Sequence, residues 1–419
     1  MEATTPRESR GGQFLVYLLA IGMSVDYINR QVIALILQPM GADFGLGDTQ
    51  RGLLLSVFAM TFITGSLFLT PLADRYGRKR TIISAIAITG LLAAASGVFA
   101  NYWLVLISRA GIGLAVALVA PAAQALVAET QAPENRGGAM GILSAGPPAG
   151  LIVGLGLWGW ITSAFGWQTA LVSVGIFSFV LALILTKTID EPPRPAVAVG
   201  KTSFIANIKT LYRVKSYRHM VLAFSITGIG AMGGAQWHPT FLVRVHELNM
   251  STVGIALALI SGGVGIISAL LSGRLGNSLS KRDVRAPMWI CMVGVLIAGP
   301  LFVAAYLAPS AEMCLLMLTA ASLFGYCATP HLFTVTQSAT PPALRAFAAG
   351  VAMAAFTGCG MALGVPLIGA LSDMMTAEYG ASGLGYALAS IAIFYVWAAV
   401  HYALAARHYE SDLERVNSA

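Results

Sequence analysis

The chain has 419 residues, of which 57% are apolar and only 10% charged, with a mean hydropathy of +0.76. A soluble domain carries about 25% charged residues, so this chain has too little polar surface to face water, and disorder or a disulfide scaffold is excluded. Its net charge of +7 could point to nucleic acid, but the positions of the basic residues decide against that reading.

From the N-terminus, the first apolar stretch runs through Asp26, Asn29 and Arg30 to about Leu37. That is too long, and too polar inside, for a signal-peptide core, and it is expected to be a first membrane span. One crossing needs about 20 mostly apolar residues. With the first at 13–37, further spans are expected near 50–72, 81–100, 102–128, 138–163, 167–187, 219–242, 251–273, 286–308, 312–338, 346–371 and 382–406. The expectation is an all-α membrane protein with twelve transmembrane helices. Cys291, Cys314, Cys327 and Cys359 lie in these segments without metal-knuckle spacing and are expected to be packing residues.

With the N-terminus on the cytoplasmic side, 21 of the 25 Lys and Arg residues fall in the tails and loops of that side. Arg51 and Arg244 fall on the other, and Arg30 and Arg109 lie within spans. This is the positive-inside asymmetry; it places both termini in the cytoplasm and makes the basic charge a topology signal. The expected location is a plasma membrane or a bacterial inner membrane.

The one long connection, 188–218, holds Pro192, Pro193 and Pro195 and then a basic stretch. It divides the chain into an N-terminal six-helix bundle (1–187), a cytoplasmic linker (188–218) and a C-terminal six-helix bundle (219–419). Leu72-Ala-Asp-Arg-Tyr-Gly-Arg-Lys-Arg80 follows the second span, and Gly273-Arg-Leu-Gly-Asn-Ser-Leu-Ser-Lys-Arg282 follows the eighth, in the matching position. Two related halves around a midplane cavity describe one large transporter architecture.

The segment from Thr70 to Arg80 resembles the cytoplasmic-loop signature of the major facilitator superfamily, with Thr70 where the pattern opens on Gly. A narrower likeness is to its spinster-like branch. Asp26-Tyr-Ile-Asn-Arg-Gln31 resembles that branch's first-helix Asn-Tyr-x-Asp-Arg. Glu191-Pro-Pro-Arg194, Trp237-His-Pro-Thr-Phe-Leu242 and Gly369-Ala-Leu-Ser-Asp373 are similar to further branch motifs, in order. The resemblance implies two pseudo-symmetric bundles that move lipids or small organic molecules, some members being coupled to protons.

A charge at the bilayer centre costs roughly 2.5–3.5 kcal/mol, so it should face a cavity or a partner. Asp26 and Arg30 share a helix face at i,i+4, with Asn29 beside them. Asp26 is the candidate proton-coupling group, and Arg30 a candidate anion-binding group whose occupation would release its hold on Asp26; a structural ion pair is the plainer alternative. Asn29 stands where the branch pattern has its Asp, and Arg109-Ala-Gly-Ile-Gly-Leu-Ala-Val-Ala117, which resembles the branch's fourth-helix Arg-x-x-x-Gly-x-Gly-Glu-Ala, has Val116 where that pattern has its Glu; both departures give weight to exchange or facilitation without protons. Arg109, Gln124, Trp237 and His331 complete the substrate-binding candidates, against packing roles for Gln124 and His331 and a place in the outer aromatic belt for Trp237. The resemblance assigns the cytoplasmic gate to Asp74, Arg75, Gly77, Arg78 and Arg136. Gly146, Gly150, Gly154 and Gly156 offer a small-residue face for close helix packing, and Tyr395, Trp397 and Tyr402 are expected to face lipid or its interface.

Gly200-Lys-Thr202 imitates the end of a phosphate-binding loop, but Pro195 stands where the first Gly should be. His246-Glu247 opens like a zinc-protease pair, with Met250 at the second His position. No enzyme and no cofactor is expected. The expected partners are a small-molecule substrate, membrane lipids and protons as a coupling ion, with no nucleic acid, in a monomer. The expected function is secondary transport of a small organic anion or lipid-like amphiphile by alternating access. A facilitative or exchange carrier is the alternative, and a substrate sensor on the same fold a remote one.

Overall fold

The computed structural model describes residues 10–69, 76–131, 133–188, 204–341 and 344–417, and every regular element among them is helical. The first sequence half holds α1 (Arg10–Asp43), α2 (Asp48–Phe68), α3 (Arg78–Phe99), α4 (Tyr102–Val116), α5 (Val119–Thr130) and α6 (Pro133–Thr188). A short α7 (Phe204–Arg213) leads to α8 (Lys215–His246), α9 (Met250–Leu257), a π-helical stretch (Ala258–Val264) and α10 (Gly265–Leu279). Then come α11 (Ala286–Tyr306), α12 (Ala311–Gly325), α13 (Ala328–Ala339), α14 (Arg345–Thr357), a second π-helical stretch (Gly358–Gly364) and α15 (Val365–Tyr379). The chain closes with α16 (Gly383–Ser390) and α17 (Ile393–Asn417).

Each segment expected to span falls on helix over most of its described length. Eight helical stretches among the described residues are long and apolar enough to cross a membrane, and two of them, 138–188 and 347–416, run to 51 and 70 residues. Both exceed a single crossing of about 20 residues. The first bends at Gly166, whose φ of 83° and ψ of 167° leave the helical region at the loop expected between the fifth and sixth spans.

The fourth and tenth expected spans are each interrupted once, by the same device. Pro121 lacks the N–H that would bond the carbonyl of Ala117, and the helix breaks there between α4 and α5. Pro330 does the same to Tyr326 between α12 and α13. The two breaks occupy corresponding positions in the two sequence halves.

The helices pack as two units. Unit 1 takes residues 1–45, 57–196 and 249–258, and unit 2 takes 46–56, 197–248 and 259–419. The short exchanged segments, 46–56 and 249–258, begin the second and eighth expected spans.

In unit 1, Leu19, Ile86, Leu126 and Leu143 join α1, α3, α5 and α6 in one core. Helices α1 and α6 meet backbone to backbone along the glycine face of α6. A Cβ at Gly146 would overlap the Ala20 carbonyl oxygen, one at Gly150 would lie 2.5 Å from that of Ser24, and one at Gly154 would lie 3.1 Å from Ile28 Cα. Ser24 Oγ closes the seam by donating to the Gly146 carbonyl (2.8 Å). Glycine is what permits this approach; Gly156, off the seam, has nothing near it.

In unit 2, α8 packs against α14, the second π-helical stretch and α17. Tyr395 and Tyr402 correct the expectation of lipid-facing aromatics, being 2% and 0% exposed. With Ala398, Ala399, Ala405 and Tyr409 they form the buried stripe of α17, and Tyr395 stacks on Phe302 with centroids 5.5 Å apart. Trp397 is exposed, as expected. Cys291, Cys314 and Cys327 are buried, and Cys359 is half-buried.

Candidate functional site

Helix α1 carries Asp26 and Arg30 one turn apart, and the two side chains meet in a bidentate pair. Arg30 Nε donates to Asp26 Oδ1 (2.9 Å) and Nη2 to Oδ2 (2.8 Å), with both residues buried. The guanidinium also lies against aromatic rings, 5.3 Å from the centroid of Tyr27, 5.0 Å from Phe58 and 4.6 Å from Phe62. Arg109, on α4, faces the same Phe58 ring at 4.7 Å. One fully buried phenyl group on α2 is thus shared by two cations, and among the described residues only one of them holds a carboxylate.

Arg109 is 3% exposed, and its Nε and Nη2 have no hydrogen-bond acceptor among the described residues. A cation–π contact contributes about 2 kcal/mol when desolvated. Leaving a guanidinium unpaired at membrane depth costs roughly 2.5–3.5 kcal/mol, so the ring does not offset the charge. Two guanidinium groups against one carboxylate leave a buried patch with one net positive charge and open N–H donors. Such a patch can take an anion.

A second charged cluster lies within unit 2. Asp48, the first residue of α2, accepts from Arg244 Nη1 (2.5 Å) and Nη2 (2.6 Å), from Arg51 Nη1 (2.8 Å) and from Ser372 Oγ (2.6 Å). Asp373 then caps α2 from α15, accepting from the backbone N–H groups of Asp48 (2.7 Å) and Thr49 (2.8 Å) and from Thr49 Oγ1 (2.6 Å). These N–H groups have no partner inside their own helix. Gly369, one turn before Asp373, lets the helices approach: a Cβ there would sit 2.5 Å from the Asp48 carbonyl oxygen.

The other expected site residues scatter. Asn29 turns its amide into its own helix, donating to the Val25 carbonyl (2.9 Å). Gln124 is exposed on α5. Trp237 is fully buried and donates Nε1 to the Val365 carbonyl (3.1 Å), which is a packing role. His331 is buried against Gly276, and its Nε2 has no partner among the described residues. Gly77 precedes α3 with a φ of 96°, a backbone state open to glycine, and Arg78 is half-buried at the start of that helix. Asp74 and Arg75, and the side chain of Arg136, lie outside the described residues.

Sequence reasoning missed Phe58 and the Asp48 cluster as site features. A signal for the second existed: Arg51 and Arg244 are the two basic residues on the minority side of the charge asymmetry, and Asp48 is one of two acids, with Asp43, between the first two spans.

The Major Facilitator Superfamily profile matches residues 19–365. The chain belongs to that superfamily. It is a multi-pass membrane protein of the plasma or inner membrane and a secondary transporter, not an enzyme. An "MFS-type efflux pump" of Mycolicibacterium smegmatis is 26% identical over 404 residues, 95% of this chain and 93% of its own length. "Protein spinster homolog 1" of Xenopus laevis is 27% identical over 66% of this chain; the match spans only 56% of that longer protein. A crystal structure of a bacterial homolog of the human lysosomal transporter spinster, in an inward-facing and unoccupied conformation, superposes with a TM-score of 0.87 at 24% identity, covering 97% of this chain and 99% of its own. The superfamily and the spinster-like branch read from the motifs are both supported.

Proposed function

We propose that this transporter moves a small organic anion or an anionic lipid-like amphiphile by alternating access, bound at Arg30 and Arg109 across Phe58. The observation that carries this reading is the Arg109 guanidinium, whose Nε and Nη2 have no acceptor among the described residues, beside an Arg30 already committed to Asp26. An incoming anion satisfies Arg109 and competes with Asp26 for Arg30. Asp26, released from its partner, then takes a proton, and that exchange is the coupling step. Names of relatives such as "MFS-type efflux pump" and "Multidrug resistance protein MdtG" accord with export of varied organic molecules.

One observation favours the exchange or facilitative alternative. Both Asp26 oxygens are occupied by Arg30, and Asn29, where the branch pattern carries an acid, cannot titrate. Uptake into proteoliposomes separates the two. A pH gradient drives accumulation in the wild type and not in Asp26→Asn if protons are coupled. Equal accumulation in both removes Asp26 from the coupling role, and preference for cationic over anionic substrates refutes the binding patch.

The gate on the Asp48 side is proposed to be the Asp48–Arg244 pair, which must part for that side to open. On the opposite side the gate residues are proposed, from the loop signature, to be Asp74, Arg75, Gly77, Arg78 and Arg136. A cysteine placed beside Arg244 should gain access to a membrane-impermeant thiol reagent in Asp48→Asn. Unchanged labelling refutes the gate.

A further inference from the structure

A cavity of about 570 Å³ opens in unit 2 between α10, α11 and α12, apart from every residue of the patch and the cluster described above. Its walls are apolar. Leu275 and Leu279 on α10, Trp289 and Val293 on α11, and Phe324 on α12 line it. The inner end is pinched where Gly294 meets Cys327, since a Cβ on that glycine would overlap the Cys327 sulfur.

The polar groups divide sharply between wall and mouth. Both hydroxyls in the wall are spent on backbone: Ser268 Oγ donates to the Leu323 carbonyl (2.5 Å) and Ser272 Oγ to that of Ala269 (3.3 Å). The interior therefore offers nothing to a headgroup. At the mouth, Asp283 is occupied by Arg285 through its backbone N–H (2.8 Å) and its Nε (2.9 Å). Arg282 lines the same mouth and is exposed; its backbone N–H donates to the Leu279 carbonyl (2.9 Å), while its guanidinium makes no hydrogen bond or ion pair among the described residues. Lys281 precedes it, also exposed.

The dimensions fit one molecule. From Ser268 to Leu279 the wall of α10 rises about 16 Å at about 1.5 Å per residue. Half of a hydrocarbon core about 30 Å thick is about 15 Å. The groove is one leaflet deep, apolar along its length and cationic at its end.

We propose that this groove is a binding site for an anionic phospholipid, with one acyl chain between α10, α11 and α12 and the phosphate at Arg282. Its occupant comes from the leaflet at the basic end of α10. The site goes beyond the transport reading and stands whether or not Arg30 and Arg109 bind substrate.

Native mass spectrometry of the full chain in detergent, supplied with equal phosphatidylglycerol and phosphatidylcholine, tests it. The wild type should retain phosphatidylglycerol about fivefold over phosphatidylcholine, the effect of one basic residue at a membrane surface. Arg282→Ala should bring that ratio close to one, while Leu275→Trp fills the groove and should cut retention of both lipids several-fold. Val293→Trp fills it from the opposite wall and is read in place of Leu275→Trp if that variant does not fold. A wild-type ratio near one, or a ratio unchanged by Arg282→Ala, overturns the headgroup site, and wild-type retention in a folded tryptophan variant overturns the groove.

Discussion

Arg244 and Asp48 meet in two charge-assisted hydrogen bonds of 2.5 and 2.6 Å, although 196 positions separate them in the chain. The pair is fork-to-carboxylate, the geometry that guanidinium groups favour. Around it, Arg51, Ser372 and the Asp373 cap leave Asp48 fully engaged.

Removing the carboxylate should therefore cost more than a surface ion pair would. Asp48→Ala leaves two guanidinium groups facing one another with side chains only 10% and 13% exposed. A loss of about 3 kcal/mol is expected from breaking a buried pair, read as a clear fall in the thermal unfolding midpoint in detergent. Arg244→Ala should lose less, because Arg51 still holds Asp48. The double variant should lose less than the sum of the two. Strict additivity would mean the pair is not coupled.

Arg109 should behave in the opposite sense. Arg109→Met removes a buried charge with open N–H donors and keeps an apolar side chain against Phe58. The free energy of unfolding should rise by about 1 kcal/mol, the cost of the unpaired charge less the cation–π contact, while transport is lost. A fall in stability would show that Arg109 is a structural residue. Activity and stability measured on the same preparation make the distinction.

Arg30→Met should destabilise by about 3 kcal/mol, since it strands Asp26. Adding Asp26→Asn to it should recover much of that loss without recovering transport. If the double variant is no more stable than Arg30→Met, the pair is not the reason for the loss.

The glycine seam allows a matched comparison on one helix. Gly150→Ala sets a Cβ 2.5 Å from the Ser24 carbonyl oxygen and should cost about 1–3 kcal/mol by overpacking. Gly156→Ala meets nothing and should be neutral or stabilising by up to about 1 kcal/mol through lower backbone entropy in the unfolded chain. Equal effects would mean that helix propensity, not the approach of α1 and α6, governs both.

The groove mouth carries a pH prediction. The Arg285 side chain, and then its backbone N–H, hold the Asp283 carboxyl below the ordinary carboxylate range. A depressed acid contributes stability above its unfolded value of about 3.9, and that contribution is lost as pH falls through the lower folded value. Asp283 should stay charged from pH 7 to pH 5, so the phosphatidylglycerol ratio should be flat across that window. A marked rise towards pH 5 would mean that Asp283 is titrating there.

Much of this protein was written locally in its chain. Helical segments follow from runs of apolar residues, because a backbone in lipid must satisfy its hydrogen bonds internally. The Asp26–Arg30 pair needs only one helical turn, and the glycine face of α6 shows in its spacing. Which apolar residues face protein was not legible: Tyr395 and Tyr402 are buried and Trp397 is exposed, yet all three look alike in hydropathy. In water a helix shows its core as an apolar stripe against a polar face, but in a bilayer both sides are apolar and the stripe vanishes. Long-range partners were equally hidden, since the sequence displays Asp48, Arg244 and Asp373 without saying that they meet. Composition and turn-scale spacing determined the membrane class, the helices and the first ion pair. Only the packing of distant helices decided that Phe58 serves two arginines, that Arg109 meets no carboxylate among the described residues, and that Asp48 is held by Arg244.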